Sequence, residues 1–207
     1  MLDYSVLRIC FQIMAFLFAI SLHEYAHGAM ANRLGDPTAR YMGRLTLNPL
    51  RHIDLFGALT LILTNFRFGW AKPVPINPNN FKNPRQGMMY TGLAGPLANL
   101  AAALCFALTV RILGLAPLSG TLPGEIFGYF LYYNVLLNVG LAIFNLLPLP
   151  PLDGSKILLG LLPARYGWRF EQFDQYGPLI LLFLVWTGVL VRIINPLYQV
   201  VIRVLLG

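Results

Sequence analysis

The sequence predicts an all-α, polytopic membrane protein with about four core transmembrane helices. Of its 207 residues, 57% are apolar and only 11% are charged, whereas typical soluble domains have about 45–50% apolar and about 25% charged residues. The mean hydropathy of +0.64 agrees with this class. The apolar composition also excludes a disordered chain. Two cysteines, Cys10 and Cys105, both lie in apolar runs, so we expect packing rather than a disulfide scaffold.

Long stretches without charge mark the spans. A transmembrane helix needs about 20 mainly apolar residues, with a range of about 17–25. Four stretches meet this length, and they are bounded by Arg8 and Arg33, Arg85 and Arg111, Glu125 and Asp153, and Asp174 and Arg192. The first contains one charged residue, Glu24, and lacks a small-residue cleavage site, so we expect a retained helix rather than a signal peptide.

The region 34–86, between the first two spans, is expected to form short strands and turns against the membrane face. Its residues 44–48 alternate as in an extended chain, and its run 70–84 is rich in proline, which disfavours helix. Residues 55–66 are too few to cross and predict a buried or re-entrant piece. Residues 193–207 contain Pro196 and Arg203, so they either extend the fourth helix past a kink or lie at the interface as an extra helix.

The basic residues predict the orientation. Eleven of the fifteen lie in the two loops that follow the first and third spans. By the positive-inside rule both loops are cytoplasmic and the N-terminus is outside, in what we expect to be a prokaryotic cell membrane. The net charge of +7 therefore indicates topology, and no basic–aromatic pattern suggests a nucleic-acid partner.

The first span carries His23, Glu24 and His27 in an H-E-x-x-H pattern. Histidines four apart on a helix lie on one face, where both imidazoles can bind one metal ion, and the adjacent glutamate can take a proton from water. A carboxylate at the centre of a transmembrane helix costs roughly 2.5–3.5 kcal/mol even on lenient scales. That cost favours a metal site over two ordinary buried histidines.

A catalytic zinc site usually has three protein ligands. A third histidine further along the helix is excluded, since Met30 and Arg33 occupy those positions, while His52 and Asp54 in the loop are possible ligands. Asp153 is favoured because it ends the proline-rich run after the third span, at the same predicted depth as the histidines. An N-capping role for Asp153 is the alternative. Zinc with ionised Asp153 and Glu24 would sum to zero charge, which lowers the cost of burial.

Two asparagines are candidate substrate ligands. Asn99 lies in the second span and Asn145 opens the proline run. A membrane-embedded amide can hydrogen-bond a substrate carbonyl or stabilise an oxyanion, although hydrogen bonding between helices is the alternative for both.

These residues resemble the site-2 protease family of intramembrane zinc metalloproteases. The resemblance rests on HEYAHG at 23–28, GPLAN at 95–99 and NLLPLPPLDG at 145–154, and it covers nearly the whole chain. It implies one zinc ion bound by His23, His27 and Asp153, Glu24 as general base and acid, and a substrate contact near Asn145. It also implies transmembrane protein substrates, and membrane-associated β-hairpins in the loop 34–86. We expect an unwound substrate segment to add as a strand to a hairpin edge around 45–48. The chain is expected to be a single domain over 1–207, without a PDZ or CBS domain.

Two other classes compete with a protease. A metal transporter could use the same histidine and aspartate cluster, but it needs no adjacent general base and would place ligands along a full path. A noncatalytic scaffold would explain the apolar spans but not the paired motifs.

Overall fold

The computed structural model describes residues 4–63, 69–113, 122–163 and 174–207. Within these ranges the regular structure is helical. The helices are α1 Tyr4–Arg33, α2 Thr38–Tyr41, α3 Leu55–Leu63, α4 Pro84–Leu113, α5 Leu122–Asn145, α6 Asp153–Leu161, α7 Gly177–Trp186 and α8 Val189–Leu206. Single turns of 3-10 helix lie at Pro49–Arg51 and Pro78–Asn80.

Among the described residues, four helices are long and apolar enough to cross a membrane: Ile9–Arg33, Pro84–Leu113, Gly124–Asn145 and Val189–Leu206. The first three confirm the predicted spans. The fourth prediction was wrong in its bounds, because the helix that begins at Gly177 ends at Trp186 after only 10 residues. Gly188 then adopts a left-handed φ of +71°, and α8 starts directly after it. The break therefore lies at Gly188, and Pro196 stays inside α8.

The predicted β-hairpins are not present in 34–63 and 69–86, where the described strand pairing is one isolated antiparallel bridge between Ile53 and Ala71. Prolines at 73, 75 and 78 remove backbone donors that a ladder would need. The piece at 44–48 that was expected to be extended is irregular, with bends at Leu45 and Thr46.

Helix α3 accounts for much of the short apolar stretch at 55–66, of which residues 64–66 lie outside the described part. It is not buried against the rest of the chain: Leu55, Phe56 and Leu63 are each more than 70% exposed. An apolar helix with such a surface is suited to contact with lipid.

Small and β-branched side chains let α4, α5 and α8 pack closely. Ala103 and Ala107 of α4 meet Val135 and Val139 of α5 in a core that is at most 1% exposed at these positions, and Tyr198 of α8 covers it. Lipid tails are as apolar as the side chains of the helices, so the hydrophobic effect does not drive helices together within a membrane. Close packing of the helices drives their association instead. This packing holds the helix bundle together. The candidate site lies nearer to the start of α4 and the end of α5.

Candidate metal centre

His23 and His27 lie one turn apart on α1 and turn their rings toward α4 and α6. Their ring centroids are 4.5 Å apart and the ring planes are nearly perpendicular. Both residues are 5% exposed. Buried imidazoles at this spacing need polar partners, and the neighbouring helices supply them.

Asp153 reaches His23 and His27 because α5 ends at Asn145 and the proline-rich turn reverses the chain. Asp153 is the first residue of α6, and its side chain does not cap that helix. Gly154 allows the reversal, since a Cβ there would lie 2.2 Å and 2.3 Å from the carbonyl oxygens of Leu147 and Leu146. One oxygen of the aspartate, Oδ2, thus faces the histidines.

The three side chains place their ligand atoms in a small triangle. Oδ2 of Asp153 lies 3.1 Å from Nε2 of His23 and 3.0 Å from Nε2 of His27, and the two nitrogens are 3.0 Å apart. Zinc bonds of about 2.0–2.1 Å in a tetrahedral site separate ligand atoms by about 3.3 Å, so the set fits this ion. In the part of the chain that the structure describes, no other trio of such residues has metal-binding spacing.

The second nitrogen of each ring is fixed by an acceptor on α4. Nδ1 of His23 lies 2.6 Å from Oδ1 of Asn99, and Nδ1 of His27 lies 2.6 Å from the carbonyl oxygen of Thr91. With the proton held on Nδ1, each Nε2 keeps a lone pair for a metal. Asn99 donates its own amide hydrogens to the carbonyl of Ala19 and to Oδ1 of Asn138, so neither is left for a substrate.

Gly95 makes room for both rings. A Cβ at this position would lie 2.5 Å from Nε2 of His27 and 2.7 Å from Cε1 of His23. Any larger residue would therefore displace the imidazoles. Thr91, Gly95 and Asn99 are spaced four apart on one face of α4, and this spacing in the sequence is a signal from which their contact with the histidines could be predicted.

Lys156 is a further unforeseen member of the centre. Its ammonium lies 2.8 Å from Oδ1 of Asp153, one turn along α6. This contact engages the carboxylate oxygen that faces away from the histidines. With zinc, Asp153, Glu24 and Lys156 all charged, the group carries one net positive charge rather than the neutral balance expected from the sequence.

Glu24 is buried beside the histidines and contacts the segment 72–81, which ends at the 3-10 turn Pro78–Asn80 and which we call the strap. The backbone N–H of Val74 donates to Oε2 of Glu24 over 2.7 Å. The strap is held at its far end by Asp36, which accepts hydrogen bonds from the Asn77 N–H and the Asn80 side chain. The loop therefore fixes one oxygen of the Glu24 carboxylate.

The remaining candidates lie elsewhere. His52 is buried with Nε2 2.8 Å from the Thr46 carbonyl oxygen, and Asp54 caps α3 by accepting from the Gly57 N–H. Neither belongs to the metal-spaced trio. Asn145 is partly buried at the end of α5, where its amide donates to the Leu141 carbonyl.

Comparison with known proteins gives a consistent family. The model of peptidase family M50 matches residues 110–188. The chain is 36% identical to "Putative zinc metalloprotease YwhC" of Bacillus subtilis over 90% of this chain and 84% of that protein. It is 31% identical to "Putative zinc metalloprotease Rip2" of Mycolicibacterium smegmatis over 87% of this chain and 68% of that protein. It is also 33% identical to "Zinc metalloprotease MJ0392" of Methanocaldococcus jannaschii, over 42% of this chain and 23% of that protein. No solved structure matches the chain.

Proposed function

We propose, from the premise that the chain belongs to peptidase family M50, that it hydrolyses peptide bonds in or near the transmembrane segments of membrane proteins. Its family and its four apolar helices make it a multi-pass membrane zinc metalloprotease. The catalytic residues, the place of cleavage and the class of substrate are what we propose beyond that family membership. The observation that carries it is the buried triangle of His23, His27 and Asp153 beside Glu24.

In this proposal His23, His27 and Asp153 hold one zinc ion through Nε2, Nε2 and Oδ2. Zinc, when bound, supplies Lewis-acid chemistry that activates water and polarises a peptide carbonyl. Asn99 and the Thr91 carbonyl keep the histidine tautomers suited to that ion. Asn99 thus acts on His23 in place of the oxyanion contact expected from the sequence.

Glu24 acts as general base and then as general acid. It takes a proton from the attacking water and passes it to the leaving amine nitrogen. Its Oε2 is already bonded to the Val74 N–H, so Oε1 is the oxygen that exchanges the proton.

The substrate is a transmembrane helix that unwinds locally. A helical peptide bond is shielded because its N–H and C=O are bonded within the helix. Asn145, at the end of α5 and next to the proline-rich turn, is placed to bond the unwound backbone. We infer a role in regulated intramembrane proteolysis because the site lies among helices that cross the membrane, in contact with the lipid bilayer.

The site is proposed to face the cytoplasm, with the N-terminus outside. The excess of basic residues in the loops after the first and third spans supports this orientation. Reporter fusions at the N-terminus and in loop 34–86 test it, since the two should report opposite compartments. Equal signals from both fusions would refute it.

The function is tested with purified protein in liposomes that contain a single-pass membrane protein as substrate. We expect zinc-dependent cleavage that a chelator abolishes and added zinc restores. Glu24→Gln is the matched control, because its amide oxygen can still accept from the Val74 N–H but cannot carry the proton. It should retain one zinc per chain and lose cleavage.

The same liposomes distinguish a transporter. Zinc flux without cleavage by the wild-type protein would contradict the proposal and favour transport. Cleavage by Glu24→Gln at the wild-type rate would instead overturn the role of Glu24.

A further inference from the structure

Arg44 is a buried cation whose partners are backbone carbonyls. It is 8% exposed, and its Nη2 donates to the carbonyl oxygens of Lys72 at 2.8 Å and Pro73 at 3.2 Å. Within the described residues no carboxylate forms an ion pair with it. Burying a guanidinium is expensive unless hydrogen bonds compensate the lost water, and Nε of Arg44 is buried without a partner, so the two bonds to strap carbonyls are the feature to explain.

The second carbonyl belongs to the peptide group that contacts Glu24. The C=O of Pro73 and the N–H of Val74 are parts of one planar unit. Arg44 donates to its oxygen, and its N–H donates to Oε2 of Glu24 at 2.7 Å. Arg44 and Glu24 are therefore joined through a single rigid peptide plane.

The strap around this plane is stiff. Proline at 73 fixes φ near −65°, and proline at 75 restricts Val74 to extended conformations. Val74 is 6% exposed, and its Cγ1 lies close to Gly28 of α1, where a Cβ would be 3.3 Å away. The Pro73–Val74 peptide plane can move mainly by rotating about the backbone bonds on either side of it. The hydrogen bond from Arg44 to the Pro73 carbonyl oxygen opposes that rotation. Hydrogen bonding at the oxygen also strengthens the N–H as a donor.

We propose that Arg44 is a positioning residue for the general base. It holds the Pro73–Val74 peptide plane so that the N–H fixes one oxygen of Glu24 and leaves the other for the water. This inference rests on the proposed function of Glu24. It assigns catalytic importance to a residue that touches neither the metal-spaced trio nor Glu24 directly.

The test compares four single variants and one double variant in the liposome assay. Arg44→Ala removes the contact, and Arg44→Lys keeps a cation able to reach one carbonyl. Val74→Pro removes the N–H while leaving Arg44 in place. Arg51→Ala is the matched control, because Arg51 is an exposed arginine in the same loop.

Arg44→Ala should lower kcat by about tenfold to hundredfold, in line with the effect of misplacing a reacting group by about 1 Å. It should keep one zinc per chain and a KM within about twofold of wild type. Arg44→Lys should recover part of kcat, and Arg51→Ala should behave as wild type. Val74→Pro should reproduce the loss, and the double variant Arg44→Ala/Val74→Pro should lose no more than either alone.

Three outcomes would overturn the inference: an unchanged kcat in Arg44→Ala, a loss confined to KM, or additive losses in the double variant. If Arg44→Ala does not fold, Arg44→Lys and Val74→Pro decide by the same criteria.

An infrared measurement on zinc-free protein separates this inference from the proposed function. The carboxylate band that disappears in Glu24→Gln should shift in Arg44→Ala and stay in place in Arg51→Ala. If the wild-type protein does not cleave but the band shifts in Arg44→Ala, the proposed function is refuted and the coupling between Arg44 and Glu24 stands. A cleaving protein without the shift would refute the contact alone.

Discussion

Replacing Gly95 with alanine should weaken zinc binding by at least about 10–100-fold, because the new methyl group would occupy the space of the histidine rings. It would lie 2.5 Å from Nε2 of His27, 2.6 Å from its Cε1 and 2.7 Å from Cε1 of His23. Ordinary contacts between such atoms are about 3.5–4.0 Å. The rings and α4 must therefore separate by about 1 Å.

That displacement is large for a metal site, whose ligand distances hold to within about 0.2 Å. Losing one supporting contact around a metal ligand usually lowers affinity about 10–100-fold. Moving two ligands should cost at least as much, so we expect a loss of about 1.4–2.8 kcal/mol or more in zinc-binding free energy.

The assay is a competition titration with a chromogenic zinc chelator on purified protein, with zinc per chain measured in parallel. Gly140→Ala is the matched control, since it adds the same methyl group to another long helix. There the nearest atom, Cε2 of Tyr198, is at an ordinary 3.7 Å. The control should bind zinc as the wild type does.

Wild-type zinc affinity in Gly95→Ala would refute the reasoning, because the rings could not then lie where the structure has them. Thermal unfolding of both zinc-free variants separates a local effect from misfolding. A loss of affinity with little change in unfolding temperature is the expected pattern.

The other predictions concern the support of the centre and of the strap. Asn99→Leu removes the acceptor for Nδ1 of His23 at similar size, so zinc affinity should fall about 10–100-fold in the same titration, and unchanged affinity would contradict the tautomer argument. Burial opposes the charge of Asp36, but hydrogen bonds from side chains and backbone N–H groups prevail and lower its pKa. Its stabilisation is therefore full above the unfolded pKa of about 3.9 and lost as pH falls through the lower folded pKa. Asp36→Asn should reduce the unfolding temperature at pH 7 and much less at the acid end, and a difference independent of pH would count against this. Gly154→Ala places a Cβ against two carbonyl oxygens of the preceding turn, so it should reduce zinc per chain, and full occupancy would contradict the close approach.

The grouping of His23, His27 and Asp153 could be predicted because a membrane makes polar residues conspicuous in the sequence. Glu24 and Asp153 are acidic residues at positions where lipid penalises charge, and the spacing of His23 and His27 fixes a shared helical face. The direction of the first and third spans predicts that Asp153 lies at the same membrane depth as the histidines. In the structure the three side chains lie together. These inferences needed only the period of a helix and the direction of each span.

The loop was harder because its contacts join residues distant in sequence. Alternation at 44–48 predicts extended backbone but does not identify its partner. The partner of Arg44 is a pair of carbonyls 28 and 29 residues further along the chain. The break before α8 was missed for a similar reason, since Gly188 sits in an uncharged run and only its left-handed φ reveals the turn.

The paired backbone of the loop also bears on substrate binding. A strand adds to an edge only through unpaired N–H and C=O groups. In 44–48 the Arg44 N–H bonds to Ala39, the Thr46 carbonyl accepts from His52, and the Asn48 N–H bonds to the Thr46 hydroxyl. These backbone groups of the edge expected from the sequence are therefore already bonded within the chain. The amide of Asn145 lies instead at the start of the turn that delivers Asp153, so we infer that substrate backbone and metal are held by one continuous piece of chain.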